Sequence, residues 1–70
     1  MTPLIYAPMG EELIIVRISA EESTAQHLRK LGFKPGTAVR VLSCNGGNII
    51  VSVGEGRVAL SRESASRIFF

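Results

Sequence analysis

The amino-acid sequence predicts a mainly β protein, a small barrel of about five strands with one short helix inserted after the first long strand. Three observations support this prediction. A chain of 70 residues has room for one domain, which we place over residues 1–70, because domains usually need roughly 100 to 200 residues each. Short β-branched segments alternate with glycine-containing reversals, which is typical of consecutive antiparallel strands. Only one segment has apolar residues at helical spacing.

The first long strand is predicted over residues 13–18, where β-branched side chains predominate. Ile14, Val16 and Ile18 share one face of such a strand, because successive side chains point to opposite faces. The other face is apolar as well. We therefore expect both faces of this strand to be covered.

The inserted helix is predicted to begin at Ser19, or one turn later at Ser23 or Thr24. Ser19 and Glu22 have the spacing of a capping box, in which each side chain bonds to the backbone of the other residue. Gly32 is predicted to end the helix, in the position after the C-cap where glycine is favoured. An apolar stripe at three-residue spacing lies between these ends and consists of Ala25, Leu28 and Leu31.

A type II turn is predicted within residues 33–36. Pro35 has a fixed negative φ and Gly36 readily adopts the positive φ that must follow it. Three antiparallel strands joined by glycine-containing reversals are expected next. They lie at residues 37–42, 49–53 and 57–60. One helical turn at residues 61–65 should then lead into a last short strand at residues 68–70.

Charge and cysteine content exclude several classes of partner and compartment. Eight Lys and Arg against six Glu give a net charge of +2, and the basic residues are scattered along the chain. A protein held to nucleic acid by phosphate contacts usually clusters them, so we expect no nucleic-acid partner. The single cysteine cannot form an internal disulfide, which indicates a reducing, cytoplasmic location. The longest strongly apolar stretch, residues 13–16, is far shorter than the about 20 residues of a membrane span, so no membrane insertion is expected.

The residues that could perform catalysis or bind metal are few. His27 and Cys44 could form a nucleophilic pair only if they met, but His27 is predicted on the polar side of the helix and Cys44 at the mouth of a hairpin. Structural zinc requires four Cys or His ligands, and the chain has one of each. The prediction is therefore a non-enzymatic protein with no catalytic, cofactor-binding or metal-binding residues and no cofactor.

One segment resembles a known family. Residues 27–37 read HLRKLGFKPGT, which is similar to the Arg-Leu-x-x-Leu-Gly-hydrophobic-x-Pro-Gly-Thr block of the ferrous iron transport protein A (FeoA) family. Residues 3–18 and 58–68 are similar to the opening and closing segments of that family, so the resemblance covers nearly the whole chain. The chain departs from the family in the short hairpin at residues 43–48 and at His27, where Arg is common.

The resemblance implies an SH3-like barrel with an accessory or regulatory role in bacterial ferrous iron uptake. The implied partner is the membrane ferrous iron transporter, through its cytoplasmic GTP-binding domain, and weak self-association is left open. We expect the partner-binding surface to combine apolar contacts with a basic rim. Its candidate residues are Leu28, Arg29, Leu31, Phe33 and Lys34. The expected structural residues at the helix end and turn are Gly32, Pro35 and Gly36.

Two alternative functions remain open from the sequence. The same barrel resembles the C-terminal domain of diphtheria-toxin-repressor-like regulators, which would make the chain a metal-sensing module. A small RNA-binding or ribosome-binding barrel is the other alternative, because Arg29 and Lys34 lie near Phe33 and aromatic side chains beside cations can bind single strands. Phe33 is explained more simply as a core residue that covers the helix end.

Overall fold

The computed structural model describes residues 1–70 and confirms the mainly β class. It contains six strands, two α-helices and one 3₁₀ helix at Leu4–Tyr6. The strands are β1 (Glu12–Ile14), β2 (Arg17–Ile18), β3 (Ala38–Asn45), β4 (Asn48–Val53), β5 (Gly56–Ser61) and β6 (Ile68–Phe69). The helices are α1 (Glu22–Lys30) and α2 (Arg62–Ala65). None of the helices combines the length and apolar character that spanning a membrane requires.

The strands form two antiparallel sheets. Four strands lie in the order β1-β3-β4-β5, and β2 pairs with β6. The start of the chain lies beside β6, because Thr2 and Phe70 exchange two backbone hydrogen bonds of 2.9 Å. The two ends of the chain are therefore held together by the second sheet.

The first predicted strand is divided between the two sheets, which corrects the expectation that both its faces are covered. Ile15 donates its N–H to the carbonyl of Thr37, whereas Val16 donates to the carbonyl of Phe69 in the other sheet. Only Ile15 is buried at this corner. Ile14 and Val16 are 51% and 50% exposed, because the chain leaves the first sheet before any element covers them.

Helix α1 begins at Glu22, and its N-cap, Glu21, makes no side-chain capping bond. The predicted start at Ser19 is therefore wrong. Ser19 donates its backbone N–H to the carbonyl of Arg67, which continues the pairing of β2 with β6. Ser19 therefore lies in this ladder, two residues before the N-cap at Glu21, so a contact distant in sequence overrides the local capping pattern.

The predicted end of α1 is confirmed. Gly32 has a φ of +107° and donates its N–H to the carbonyl of Arg29 at 3.0 Å. Phe33 donates to the carbonyl of Leu28 at 3.0 Å. These two bonds form a Schellman motif, in which the residues after the helix satisfy its last carbonyls.

Replacing Gly32 by Ala should lower the free energy of unfolding by about 1–2 kcal/mol, because an L-residue is strained at positive φ. The added Cβ would lie 3.6 Å from the Val53 methyls, which is ordinary contact, so backbone strain is the cause. Urea denaturation of the two variants would measure the loss, with Gly46→Ala as the control. Gly46 lies outside the positive-φ region and has free space around it. Equal losses in the two variants would contradict the argument.

The core is one cluster between the two sheets and α1. The predicted faces of the meander are confirmed, because Val39 and Val41 are buried while Arg40 and Leu42 point outward. The two predicted reversals between the strands are also confirmed. The predicted last helical turn is α2, whose N-cap is Ser61, and the Ser61 hydroxyl accepts the Ser64 N–H at 3.1 Å. The twelve buried members of the cluster are Leu4, Ile15, Leu28, Phe33, Val39, Val41, Ile49, Val51, Val53, Leu60, Ala65 and Ile68.

Candidate functional site

The turn that follows α1 is fixed by three backbone hydrogen bonds. Thr37 donates its N–H to the carbonyl of Lys34 at 3.1 Å and Gly36 has a φ of +91°. This confirms Pro35 and Gly36 as the central residues of a type II turn, which spans residues 34–37 rather than the predicted 33–36. Gly36 also donates to the carbonyl of Ile15 at 2.7 Å, and Ile15 donates back to Thr37 at 2.9 Å. The turn is therefore attached to the corner between β1 and β2.

This attachment places exposed apolar side chains beside the turn. Ile14 and Val16 flank Ile15 in the chain, and both point to solvent while Ile15 points into the core. Lys34, Pro35 and Gly36 are exposed on the adjoining turn. These five residues, Ile14, Val16, Lys34, Pro35 and Gly36, form what we call the corner surface.

The structure divides the five predicted partner-binding residues between the core and the surface. Leu28 and Phe33 are 0% exposed, so their assignment as contact residues is corrected. Leu28 lies on the buried face of α1 and Phe33 follows the Schellman motif, and both side chains belong to the core cluster that holds α1 and the turn in place. Leu31 is half-buried, and Arg29 and Lys34 are exposed.

The two exposed cations, Arg29 and Lys34, differ in whether a nearby carboxylate offsets their positive charge. Arg29 lies 3.4 Å from the Glu22 carboxylate, with side chains that are 46% and 70% exposed. An exposed pair of this kind contributes little to stability but offsets part of the positive charge of Arg29. Lys34 makes no ion pair. Lys34 therefore supplies the free positive charge next to the apolar part of the corner surface.

Sequence reasoning missed Ile14 and Val16 as surface residues. The sequence contained a signal for this exposure, because residues 13–18 carry apolar side chains on both faces. A small domain has too few elements to cover both faces of a strand. Period-two alternation identifies the two faces but does not say which one is covered. The break between β1 and β2 depends on pairing with residues far along the chain.

The other candidate groups are spread over the molecule. His27 is exposed on α1 and Cys44 is exposed near the end of β3. No group of three or more His, Cys, Asp and Glu side chains is close enough together to hold a metal ion.

A polar groove lies between the starts of α1 and α2. Glu21 and Glu63 line it together with Arg67 and several hydroxyl side chains, and Ala20 is its one apolar member. Small-molecule sites are usually lined mainly by apolar side chains. The corner surface, with two half-exposed branched side chains, is therefore the stronger candidate for binding a partner.

Comparison with protein families and curated sequences gives consistent matches. The model of the FeoA domain family matches residues 2–70. Fe(2+) transport protein A of Methanocaldococcus jannaschii is 32% identical over 68 residues, which cover 97% of this chain and 83% of that protein.

Solved structures share the fold over most of the chain. A crystal structure of an iron uptake regulatory protein, FeoA, has a TM-score of 0.88 and 32% identity, and the match covers 96% of this chain and 91% of that one. The zinc complex of Stenotrophomonas maltophilia FeoA, described as an SH3 domain protein, has a TM-score of 0.81 and 30% identity over 93% and 84% of the chains. A manganese-dependent transcriptional repressor has a TM-score of 0.86 and 25% identity over 94% of this chain but 38% of that one. These likenesses confirm the predicted SH3-like fold.

Proposed function

Because the chain belongs to the FeoA domain family, as residues 27–37 predicted, we propose that it is a non-enzymatic accessory protein of ferrous iron transport. In this proposal it acts in the cytoplasm and binds the GTP-binding domain of the membrane ferrous iron transporter. The relatives support the connection with iron, since they are described as an Fe(2+) transport protein and an iron uptake regulatory protein. The corner surface supports recognition of a protein partner.

The corner surface has the composition expected of a small protein interface. Interfaces place apolar contacts at the centre and polar or charged groups at the rim. Ile14 and Val16 supply the apolar part, and Lys34 lies at its edge with a free positive charge. The half-exposed pair of branched side chains is the single observation on which the site assignment depends, because adjacent apolar groups left in water gain free energy when a partner covers them.

The backbone of the corner surface is held by hydrogen bonds within the fold. Gly36 and Ile15 are joined by a 2.7 Å hydrogen bond, and the helix preceding the turn is closed by the Schellman motif. A surface whose backbone is already ordered loses less conformational entropy on association. The buried Leu28 and Phe33 contribute to binding indirectly, because they hold this backbone from below.

An NMR titration tests the proposed partner. The isotope-labelled chain is titrated with the transporter's GTP-binding domain, loaded in turn with GDP and with a GTP analogue. We expect amide shifts concentrated at residues 14–16 and 34–37. A folded chain with no shifts in either nucleotide state would contradict the proposed partner, and shifts confined to another face would contradict the proposed surface.

Reversing the charge of Lys34 should weaken this complex by roughly threefold to tenfold at low salt, because a rim charge mainly affects the association rate. The salt dependence of binding should fall as well. Surface plasmon resonance would measure both rates for Lys34→Glu, with Lys30→Glu as a control of equal charge change on α1. Arg29→Glu should have a smaller effect than Lys34→Glu, since Arg29 already faces Glu22. An equal loss for Lys30→Glu would show that only net charge matters.

Metal sensing is the second candidate function, because two structural neighbours are a manganese-dependent repressor and a zinc complex. A metal that binds only the folded state raises the thermal midpoint of unfolding. A midpoint that rises with Mn²⁺ or Zn²⁺ and returns with chelator would favour this candidate. An unchanged midpoint, together with NMR shifts at the corner surface, would favour the accessory role.

A further inference from the structure

Strand β5 is an open edge of the four-stranded sheet. It is last in the strand order and pairs with β4 alone. None of the backbone hydrogen bonds in turns, loops and caps involves residues 56–61. The opposite edge strand, β1, has only three residues and carries Glu12, and charge on a short edge strand discourages pairing with another chain. Strand β5 has six residues and one charged side chain, Arg57, so it is the less protected edge.

The hairpin before β5 shows which of its backbone groups are free. Val53 and Gly56 close a two-residue loop whose first residue, Gly54, has a φ of +60°, as in a type II′ turn. The closing pair of such a hairpin is hydrogen-bonded, and bonded pairs then recur at every second residue. The N–H and C=O groups of Arg57 and Ala59 therefore point away from β4, as does the N–H of Ser61. The Ser61 carbonyl is used by α2, because Ser61 is the N-cap of that helix.

We propose that a second copy of this chain pairs antiparallel with β5, centred on Ala59, to form a symmetric dimer with one continuous eight-stranded sheet. In this register Ala59 lies opposite Ala59 of the second copy, and Arg57 lies opposite its Ser61. Because the Ser61 carbonyl already accepts the first backbone bond of α2, the outward-facing groups that remain form about four backbone hydrogen bonds between the two copies. The half-buried Val58 packs beside the second copy's Leu60 on the inner face, which removes apolar surface from water.

The residues within β5 favour a second copy as the occupant of this edge. Outside the strand the flanking charges are mixed, because this register places Glu55 of each copy diagonal to Arg62 of the other and opposite its Glu63. Arg57 meets Ser61 rather than a second arginine. No like charges face each other within the strand, and the small Ala59 side chains permit close approach at the two-fold axis. The sequence of β5 is thus compatible with antiparallel pairing to itself, and this proposal is independent of the proposed function.

Sedimentation equilibrium of the full chain, from about 10 μM to about 1 mM, tests the dimer directly. We expect a monomer–dimer equilibrium, and a monomer across the whole range would overturn the proposal. Ala59→Lys should weaken dimerisation at least about fivefold, because it places two like charges opposite each other. Leu42→Lys is the matched control, since Leu42 is also exposed on the outer face but lies on β3. Equal effects of the two substitutions would also overturn the proposal.

A cysteine cross-link tests the register. Bonded residue pairs in antiparallel strands have Cα atoms about 5.5 Å apart, which is within the range of a disulfide. Ala59→Cys in a Cys44→Ser background should therefore form a covalent dimer under mild oxidation much faster than Leu42→Cys in the same background. Equal rates would contradict pairing at Ala59. If β5 amides shift only when the transporter's GTP-binding domain is added, that domain and not a second copy occupies the edge.

Discussion

Replacement of Phe33 by Ala is expected to lower the free energy of unfolding by about 3–5 kcal/mol, the usual cost of deleting a buried aromatic ring. Phe33 is the largest of the fully buried side chains and is 0% exposed. Its backbone N–H also satisfies the carbonyl of Leu28 at the end of α1, and Ala keeps that bond. The loss therefore reports the packing of the ring in the core and not the helix cap.

The cost of Phe33→Ala is large relative to the whole fold. A domain of 70 residues has a free energy of unfolding of about 4–10 kcal/mol, at roughly 0.05–0.15 kcal/mol per residue. Urea denaturation followed by circular dichroism would measure the change. Phe69→Ala is the matched control, because Phe69 is only half-buried and lies on the short strand β6. A Phe33→Ala variant less than about 1 kcal/mol below the wild type would contradict the core assignment.

The same variant separates the core role of Phe33 from the stacking role that the nucleic-acid alternative requires. A stacking aromatic must present its face to a base, and Phe33 has no exposed surface. We therefore expect Phe33→Ala to reduce any binding activity only in proportion to the unfolded fraction. A folded variant with selective loss of RNA binding would require a different structure around the turn.

The parts of the fold that could be predicted from sequence are those in which one residue type determines the backbone. Gly32 and Gly36 adopt the positive φ values that their places after the helix and in the turn require. Pro35 precedes Gly36 in the turn, and Ser61 caps α2 through its own hydroxyl. These features depend on neighbours within about four residues, so a sequence pattern is sufficient to identify them.

The parts that could not be predicted depend on contacts between distant segments. Ser19 has the local pattern of a helix cap, but its N–H is used by Arg67 in the second sheet. The run of branched residues before it is divided because its two halves pair with β3 and β6. The residues of the observed candidate surface differ from the predicted ones for the same reason. Leu28 and Phe33 are covered by the core, whereas Ile14 and Val16 lie at the corner where the chain changes sheets.

The location of the corner surface explains why family resemblance alone did not identify it. The glycines and the proline of residues 27–37 set the backbone of the turn. The apolar side chains of the proposed partner surface come from a different segment, which is joined to the turn by the hydrogen bonds of Ile15. A motif can therefore indicate the fold while the residues proposed to contact a partner lie elsewhere in the chain.

The double variant Ile14→Ser/Val16→Ser is expected to weaken binding to the GTP-binding domain by at least about 30-fold, the scale of an interface hot spot of about 2 kcal/mol. Both side chains are half-exposed, so their loss should cost the fold much less than the loss of a buried residue. Isothermal titration calorimetry would measure the affinity, and urea denaturation would show that the variant remains folded.

Tyr6→Ser/Met9→Ser is the matched control for this double variant. Tyr6 and Met9 are 70% and 62% exposed, and they precede β1 rather than lying at the corner. The control removes at least as much exposed apolar surface, so a general loss of surface hydrophobicity would weaken binding in both variants. We expect the control to bind with unchanged affinity, because the turn is hydrogen-bonded to Ile15 through Gly36 and Thr37 and not to the 3₁₀ helix. Equal weakening in the two variants would contradict the assignment of the corner surface as the binding site. Weakening only in Ile14→Ser/Val16→Ser would show that the partner contacts the corner where the chain passes from one sheet to the other.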